Sequence, residues 1–243
     1  MSELLAIDNL GKRFGGFIAL DGISLAVGTG ERVGLIGPNG SGKSTLVNCI
    51  CGTVRHEAGA VYFDGHPLGS AAAHVRTRLG LARTFQLPRP FVSLTLLDNL
   101  RIPLLYTVAA RGQGYAASEI EARCLALLRE VGLEAKARHR PRDLTQVEMR
   151  KLELARAMAA EPKLLIADES MAGLTHSEVE DILMLLRRLN AEGIAIILIE
   201  HIMRAVMSFS QRLVVLVSGR KIADGAPEEV MRDPEVEKAY LGQ

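Results

Sequence analysis

Residues Gly37-Pro38-Asn39-Gly40-Ser41-Gly42-Lys43-Ser44 match the spacing G-x-x-x-x-G-K-[ST] at every fixed position. That spacing can hold phosphate. Glycines carry no Cβ, so backbone N–H groups can close around phosphate oxygens. A helix starting at the end of the loop adds the partial positive charge of its N-terminus. Lys43 can then reach the β- and γ-phosphates, and the Ser44 hydroxyl can ligate Mg²⁺. The bland alternative is a glycine turn, and readable strand and helix flanks speak against it. Asp168-Glu169 ends an apolar run, 163–167. Carboxylates at a strand end beside a phosphate loop suit Mg²⁺ binding and activation of water; alone, the pair would read as a solvated turn. Glu200-His201 follows the apolar run 194–199, and the imidazole can reach a γ-phosphate or cap a helix. Gln86 can contact Mg²⁺ or an attacking water, or face solvent. Phe14, beside Gly15-Gly16, can stack on a purine or serve as a packing residue, with little to choose between them.

These residues need elements to position them. The apolar run 31–36 reads as a buried strand, and a helix is expected over 43–51. Short strands are expected at 4–10 and 23–27, with Lys12 to Gly16 as a loop between them, and another at 60–64. A short helix at 74–79 leads to a strand at 80–86 that ends on Gln86. Leu87-Pro88-Arg89-Pro90-Phe91 has two prolines and reads as a loop. Helical periodicity covers 95–108 and 118–131, separated by the loop Arg111-Gly112-Gln113-Gly114. Thr145 and Glu148 form an [ST]-x-x-E capping box for a helix ending near 160. A helix at 175–190, a hairpin turning at Ser218-Gly219-Arg220, a helical turn at 227–231 and a tail from Asp233-Pro234 complete the chain.

The chain has 243 residues, enough for one large domain or a core with a subdomain, and 48% of them are hydrophobic. A net charge of +1 gives no field that would favour nucleic acid or an anionic membrane. No apolar run reaches the roughly 18 residues that span a bilayer, and the N-terminus lacks the basic-then-apolar order of a signal peptide. Cys49, Cys51 and Cys124 are few and odd in number, which suits packed, reduced thiols.

Phe14, the phosphate loop, Gln86, the 144–151 stretch, Asp168-Glu169 and His201 follow one another in an order and spacing that resembles the ATP-binding subunits of ABC transporters. The resemblance spans nearly the whole chain. Through Arg83-Thr84-Phe85-Gln86, Leu87 to Phe91, Met171-Ala172-Gly173-Leu174 and Ala239-Tyr240-Leu241-Gly242, it is most similar to subunits that serve branched-chain and other hydrophobic amino-acid importers. The resemblance implies an α/β fold: a P-loop NTPase core (1–86 and 160–243) with an antiparallel β subdomain and an inserted helical subdomain (about 87–159). It implies that Phe14 stacks on adenine and that Gly37, Pro38, Asn39, Gly40, Ser41, Gly42, Lys43, Ser44 and Thr45 hold the phosphates of ATP. Ser44, Gln86 and Asp168 would organise Mg²⁺, Glu169 would polarise the attacking water, and His201 would contact the γ-phosphate. The implied partners are transmembrane permease subunits, a second ATPase subunit that borrows the Thr145 segment, and indirectly a periplasmic binding protein. The implied location is the cytoplasmic face of the inner membrane. One departure is plain: the usual signature L-S-G-G-Q reads Leu144-Thr145-Gln146-Val147-Glu148 here. A cassette that binds ATP with little turnover, a soluble ATPase of DNA repair or translation, and a lipid-exporting relative are the competing readings.

Overall fold

The computed structural model describes residues 2–112 and 115–241. The chain starts with a long antiparallel ribbon, β1 (Glu3–Phe14) and β2 (Phe17–Gly28), turning at Gly15 with φ 58°. Lys12 to Phe14 is therefore strand and not the expected loop. Register shifts between Ile7 and Leu10 and again up to Arg13 break the strict alternation that would have marked a strand in the sequence. β3 (Arg32–Ile36) and α1 (Lys43–Ile50) flank the phosphate loop as read from the sequence. β4 (Ala58–Phe63) and β5 (His66–Pro67) complete a four-stranded antiparallel sheet in the order β2-β1-β4-β5.

α2 (Ala73–Leu79) leads into β6 (Leu81–Arg83), which stops three residues short of Gln86. The carbonyls of Phe85 and Gln86 are taken by the Arg150 guanidinium instead of a neighbouring strand, which ends the ladder early. α3 (Leu96–Pro103) gives way to a π-helical turn at Leu104–Val108, not the single expected helix. Pro103 has no N–H for the i→i−4 ladder, and the turn widens there. α4 (Ala117–Glu130) and α5 (Gln146–Met158) follow, and the described residues between 87 and 159 contain no strand. Gln113 and Gly114 of the expected connecting loop lie outside the described residues, as does Gly242 of the closing motif.

The rest of the chain is β7 (Leu164–Asp168), α6 (His176–Ala191), β8 (Ala195–Ile199), α7 (Met203–Phe209), β9 (Arg212–Val217), β10 (Arg220–Gly225), α8 (Pro227–Val230) and α9 (Pro234–Leu241). The expected tail after Pro234 is thus a helix, held by Val236 against Ile36, Val215 and Val230. The second sheet runs β10-β9-β3-β8-β7-β6, parallel except for the edge strand β10. Every residue of β7 and β8 is buried, as a sheet covered on both faces requires. Their side chains alternate between two cores. Ile166 and Ile197 pack with α1 and the antiparallel sheet, while Leu165 and Leu198 pack with Leu100, Leu152 and Leu183 of the helices. Consecutive strands in space, β3, β8 and β7, carry the phosphate loop, His201 and Asp168-Glu169 at their carboxyl ends, so residues 37 to 201 meet at one edge.

Candidate active site

The phosphate loop has the shape its glycines predict. A Cβ on Gly37 would lie 2.1 Å from the Leu216 carbonyl oxygen, and one on Gly42, at φ 104°, would lie 2.7 Å from that of Ala19. No side chain caps α1, whose N-cap is Gly42, so its first N–H groups are free to face an anion. A cavity of about 230 Å³ lies there, lined by Phe17, Ala19, Asn39 to Thr45 and Glu169. Ser41 Oγ is buried without a hydrogen-bond partner. Lys43 Nζ donates to the carbonyls of Gly37, at 2.6 Å, and Pro38, at 3.1 Å. Burial lowers its pKa, while the nearby charges of Glu169 and Asp168 hold it up. An orphaned hydroxyl, a left-handed glycine cradle and a buried ammonium together fit a polyphosphate.

The acids at the end of β7 have different surroundings. Asp168 Oδ2 accepts from Arg83 Nη2 at 2.6 Å, and Arg83 also donates to Asn48 on α1. Thr84 Oγ1 accepts from the Asp168 N–H. Asp168 thus meets Arg83 through Oδ2 and keeps Oδ1 for water or a cation. Glu169 leaves the strand in the left-handed region, at φ 45°, a costly conformation for a residue with a Cβ. Its N–H donates to Ile199 O at 2.9 Å. Its two carboxylate oxygens meet different loops: Oε2 accepts from Gln86 Nε2 at 2.5 Å, and Oε1 lies 2.9 Å from His201 Nε2. Gln86 and His201 therefore reach the cavity through Glu169 and do not line it.

Two candidates lie apart from this cluster. Phe14 pairs across the ribbon with Phe17, under the Lys12 ammonium at 4.9 Å from its ring centre, and it is Phe17 that lines the cavity. Thr145 caps α5: its Oγ1 accepts from the Glu148 N–H, and Glu148 accepts from the Thr145 N–H. Lys136 grips the same Glu148 carboxylate at 2.6 Å, holding its pKa below the usual range. The sequence reading missed Phe17, Arg83 and Arg150. Phe17 carries no motif, and the two arginines act on partners 85 and 64 residues away.

The family model described as ABC transporter matches residues 20–172. The chain belongs to this family. A second model, described as a branched-chain amino acid ATP-binding cassette transporter, matches residues 220–243 of the cassette. The cassette is 36% identical to the high-affinity branched-chain amino acid transport ATP-binding protein BraF of Pseudomonas aeruginosa, with 99% of this chain and 98% of that one covered. It is also similar to the ADP conformation of MJ1267, an ATP-binding cassette of an ABC transporter, at 32% identity and a TM-score of 0.89, with both chains covered completely. A dimeric post-hydrolysis state of the cassette MJ0796 bound to ADP and Pi matches at 27% identity and a TM-score of 0.82, over 92% of this chain and 99% of that one. The chain is an ABC-type ATPase, the nucleotide-binding and hydrolysing cassette of a transporter. No helix among the described residues is long and apolar enough to cross a membrane.

Proposed function

We propose that this cassette uses Glu169 to polarise water for ATP hydrolysis and energises import of branched-chain or related amino acids. The observation that carries the hydrolytic assignment is the Glu169 carboxylate, which faces the phosphate cavity and is oriented by Gln86 and His201 on its two oxygens. A base aimed this way takes the proton of a water attacking in line with the γ-phosphate. On this reading Lys43 and the loop N–H groups stabilise charge on the phosphates, and His201, held on Glu169 Oε1, would contact the γ-phosphate. Ser44, Asp168 and Gln86 would hold Mg²⁺, which supplies neutralisation of the phosphate oxygens when bound; one free carboxylate oxygen and a hydroxyl beside phosphates suit that cation. Phe14, with Phe17 next to it, is the platform for the adenine ring.

The substrate reading rests on the name BraF and on the match over residues 220–243. Permease subunits would dock where Phe85, Phe91, Tyr106 and Arg156 line a cavity of about 280 Å³ between the core and the helical layer. Leu87, Val92 and Tyr106 are exposed around it, the apolar rim a partner helix would cover. On this reading the cassette would sit at the cytoplasmic face of the inner membrane, with a periplasmic binding protein delivering the amino acid. A second ATPase subunit would complete each nucleotide site, and the degenerate signature at 144–148 favours a partner different from this chain. The test is reconstitution with the permeases and binding protein in vesicles. ATP-dependent leucine uptake that disappears with Glu169→Gln is expected. ATP turnover without uptake of any branched-chain amino acid would overturn the substrate reading.

A further inference from the structure

The turn that follows Glu169, residues 170–174, is gripped from both of the layers it touches. From the sheet side, Glu200 Oε1 accepts the N–H of Met171 at 2.8 Å. Glu200 is a carboxylate only 4% exposed, one residue beyond β8. From the helical side, Gln146 Nε2 donates to the carbonyl of Ala172 at 3.2 Å. Gly173 lies so close beneath it that a Cβ there would be 2.6 Å from the same nitrogen. The Met171 side chain is fully buried in the helical core and fixes the turn from below. Residues 199 and 200 thus hold residues 169 and 171, since the Glu169 N–H already binds Ile199 O. The cation facing Glu200 is Arg150, buried on α5, whose guanidinium holds the carbonyls of Phe85 and Gln86. One buried acid and one buried base therefore tie the backbones that carry Gln86, Glu169 and His201.

None of these contacts is needed to bind phosphate: Glu200 and Gln146 do not line the cavity. Their effect falls on Glu169, whose left-handed backbone persists only if its surroundings over-determine it. We propose that Glu200 and Gln146 are positioning residues for hydrolysis, fixing the turn 170–174 from the sheet and the helical layer so that Glu169 keeps its aim. The altered signature gains a role by this route. Gln146 replaces a residue type that would leave its own chain's turn untouched, and it links movement of the helical layer directly to the residues after the base. This inference rests on the reading of Glu169 as the polarising group.

The experiment compares Glu200→Ala, Glu200→Gln, Gln146→Ala and Glu169→Gln. Turnover is measured in the assembled transporter, and amide hydrogen exchange in the full chain. Glu200→Ala should lower kcat by about tenfold to a hundredfold, the range a small misplacement of a catalytic group produces, with KM for ATP unchanged. Glu200→Gln keeps an acceptor for the Met171 N–H and should restore most of kcat. The Met171 amide should exchange faster in the alanine variant and at the wild-type rate in the glutamine variant. Gln146→Ala alters an exposed side chain and spares the core, so it reports even if Glu200→Ala fails to fold; it should speed exchange within 172–174 and lower kcat a few-fold. Unchanged kcat in both alanine variants, or equal losses in Glu200→Ala and Glu200→Gln, would overturn the proposal. Glu169→Gln leaves both grips intact. Activity surviving in that variant would defeat the base assignment alone, while Met171 exchange would still report on the grips.

Discussion

Glu169 is the residue on which the contacts of the site converge, because it receives Gln86 on one oxygen and His201 on the other. Glu169→Gln replaces the proposed proton acceptor with an amide, so turnover should fall by about 10²–10⁴-fold while ATP binding persists. Wild-type turnover in the assembled complex would show that another group does this work. Lys43 differs in kind: its ammonium is bound by carbonyls at the base of the loop and points its charge into a half-enclosed cavity. Lys43→Ala should weaken nucleotide affinity, and calorimetry with ATP measures it directly. Glu200 gives a prediction in pH. Burial first, and then the like charge of Glu169, push its carboxyl up to about 7 against the opposing N–H groups of Met171 and His201 and the charge of Arg150. A carboxyl with a folded pKa above its unfolded value binds its proton more tightly in the folded chain. Its favourable contribution is complete below the unfolded value of 4.5 and is lost as pH rises through about 7. Glu200→Gln never ionises, so it should gain on wild type by up to about 3 kcal/mol as pH is raised across that window. Thermal melts at a series of pH values test this, and a constant difference between the two proteins would contradict it.

At the scale of elements, the segment from Gln86 to Phe91 is a bent connection and not a strand end. Arg150 holds its start, and Asn99 on α3 holds its end, accepting the Phe91 N–H at 2.8 Å and donating to the Phe91 carbonyl at 3.1 Å. The Phe91 ring lies under the Arg156 guanidinium at 5.0 Å. The segment is therefore a short strap between core and helical layer, with an aromatic on the face proposed for the permease. Phe91→Ala should reduce transport or loosen the membrane complex while leaving ATP affinity unchanged, because the ring lines the groove and not the phosphate cavity. Co-purification with the permeases and uptake in vesicles read the two effects separately. Normal assembly and uptake would move the docking surface elsewhere.

At the scale of the whole molecule, the signature segment bears on how two cassettes would work together. Its capping box is intact, so α5 starts normally, but Gln146 and Val147 each place a Cβ where glycine would let backbone approach a γ-phosphate. In this structure the Gln146 side chain is turned toward its own chain, on Ala172. Losing one charge-assisted hydrogen bond to a neighbour's phosphate corresponds to about 1.5–3 kcal/mol. The expected outcome is an asymmetric pair, in which this chain's phosphate loop and Glu169, completed by the partner's signature, form the stronger site. In the reconstituted heterodimer, Glu169→Gln should cost more turnover than the equivalent change in the partner. The reverse ranking, or a fully active homodimer of this chain, would contradict that asymmetry.

The sequence alone determined whatever depends on near neighbours. The phosphate loop is legible because its function requires glycines, a lysine and a hydroxyl at fixed steps between one strand and one helix, and the Thr145–Glu148 box because its two hydrogen bonds close within a single turn. Asp168-Glu169 stood out because a fully buried strand reads as an uninterrupted apolar run that the acids end. The tertiary structure decided what depends on distant partners. Strand order β3-β8-β7 brought Glu169, His201 and the loop to one edge. Bulged pairing turned Lys12 to Phe14 into strand and placed Phe17 at the cavity, while Arg150 ended β6 before Gln86. The tail became a helix because Val236 found a core formed by strands far back in the sequence. Local spacing fixes turns, caps and loops through bonds a few residues long. Which oxygen faces which donor is set by the packing of whole layers, and no short stretch of sequence contains that information.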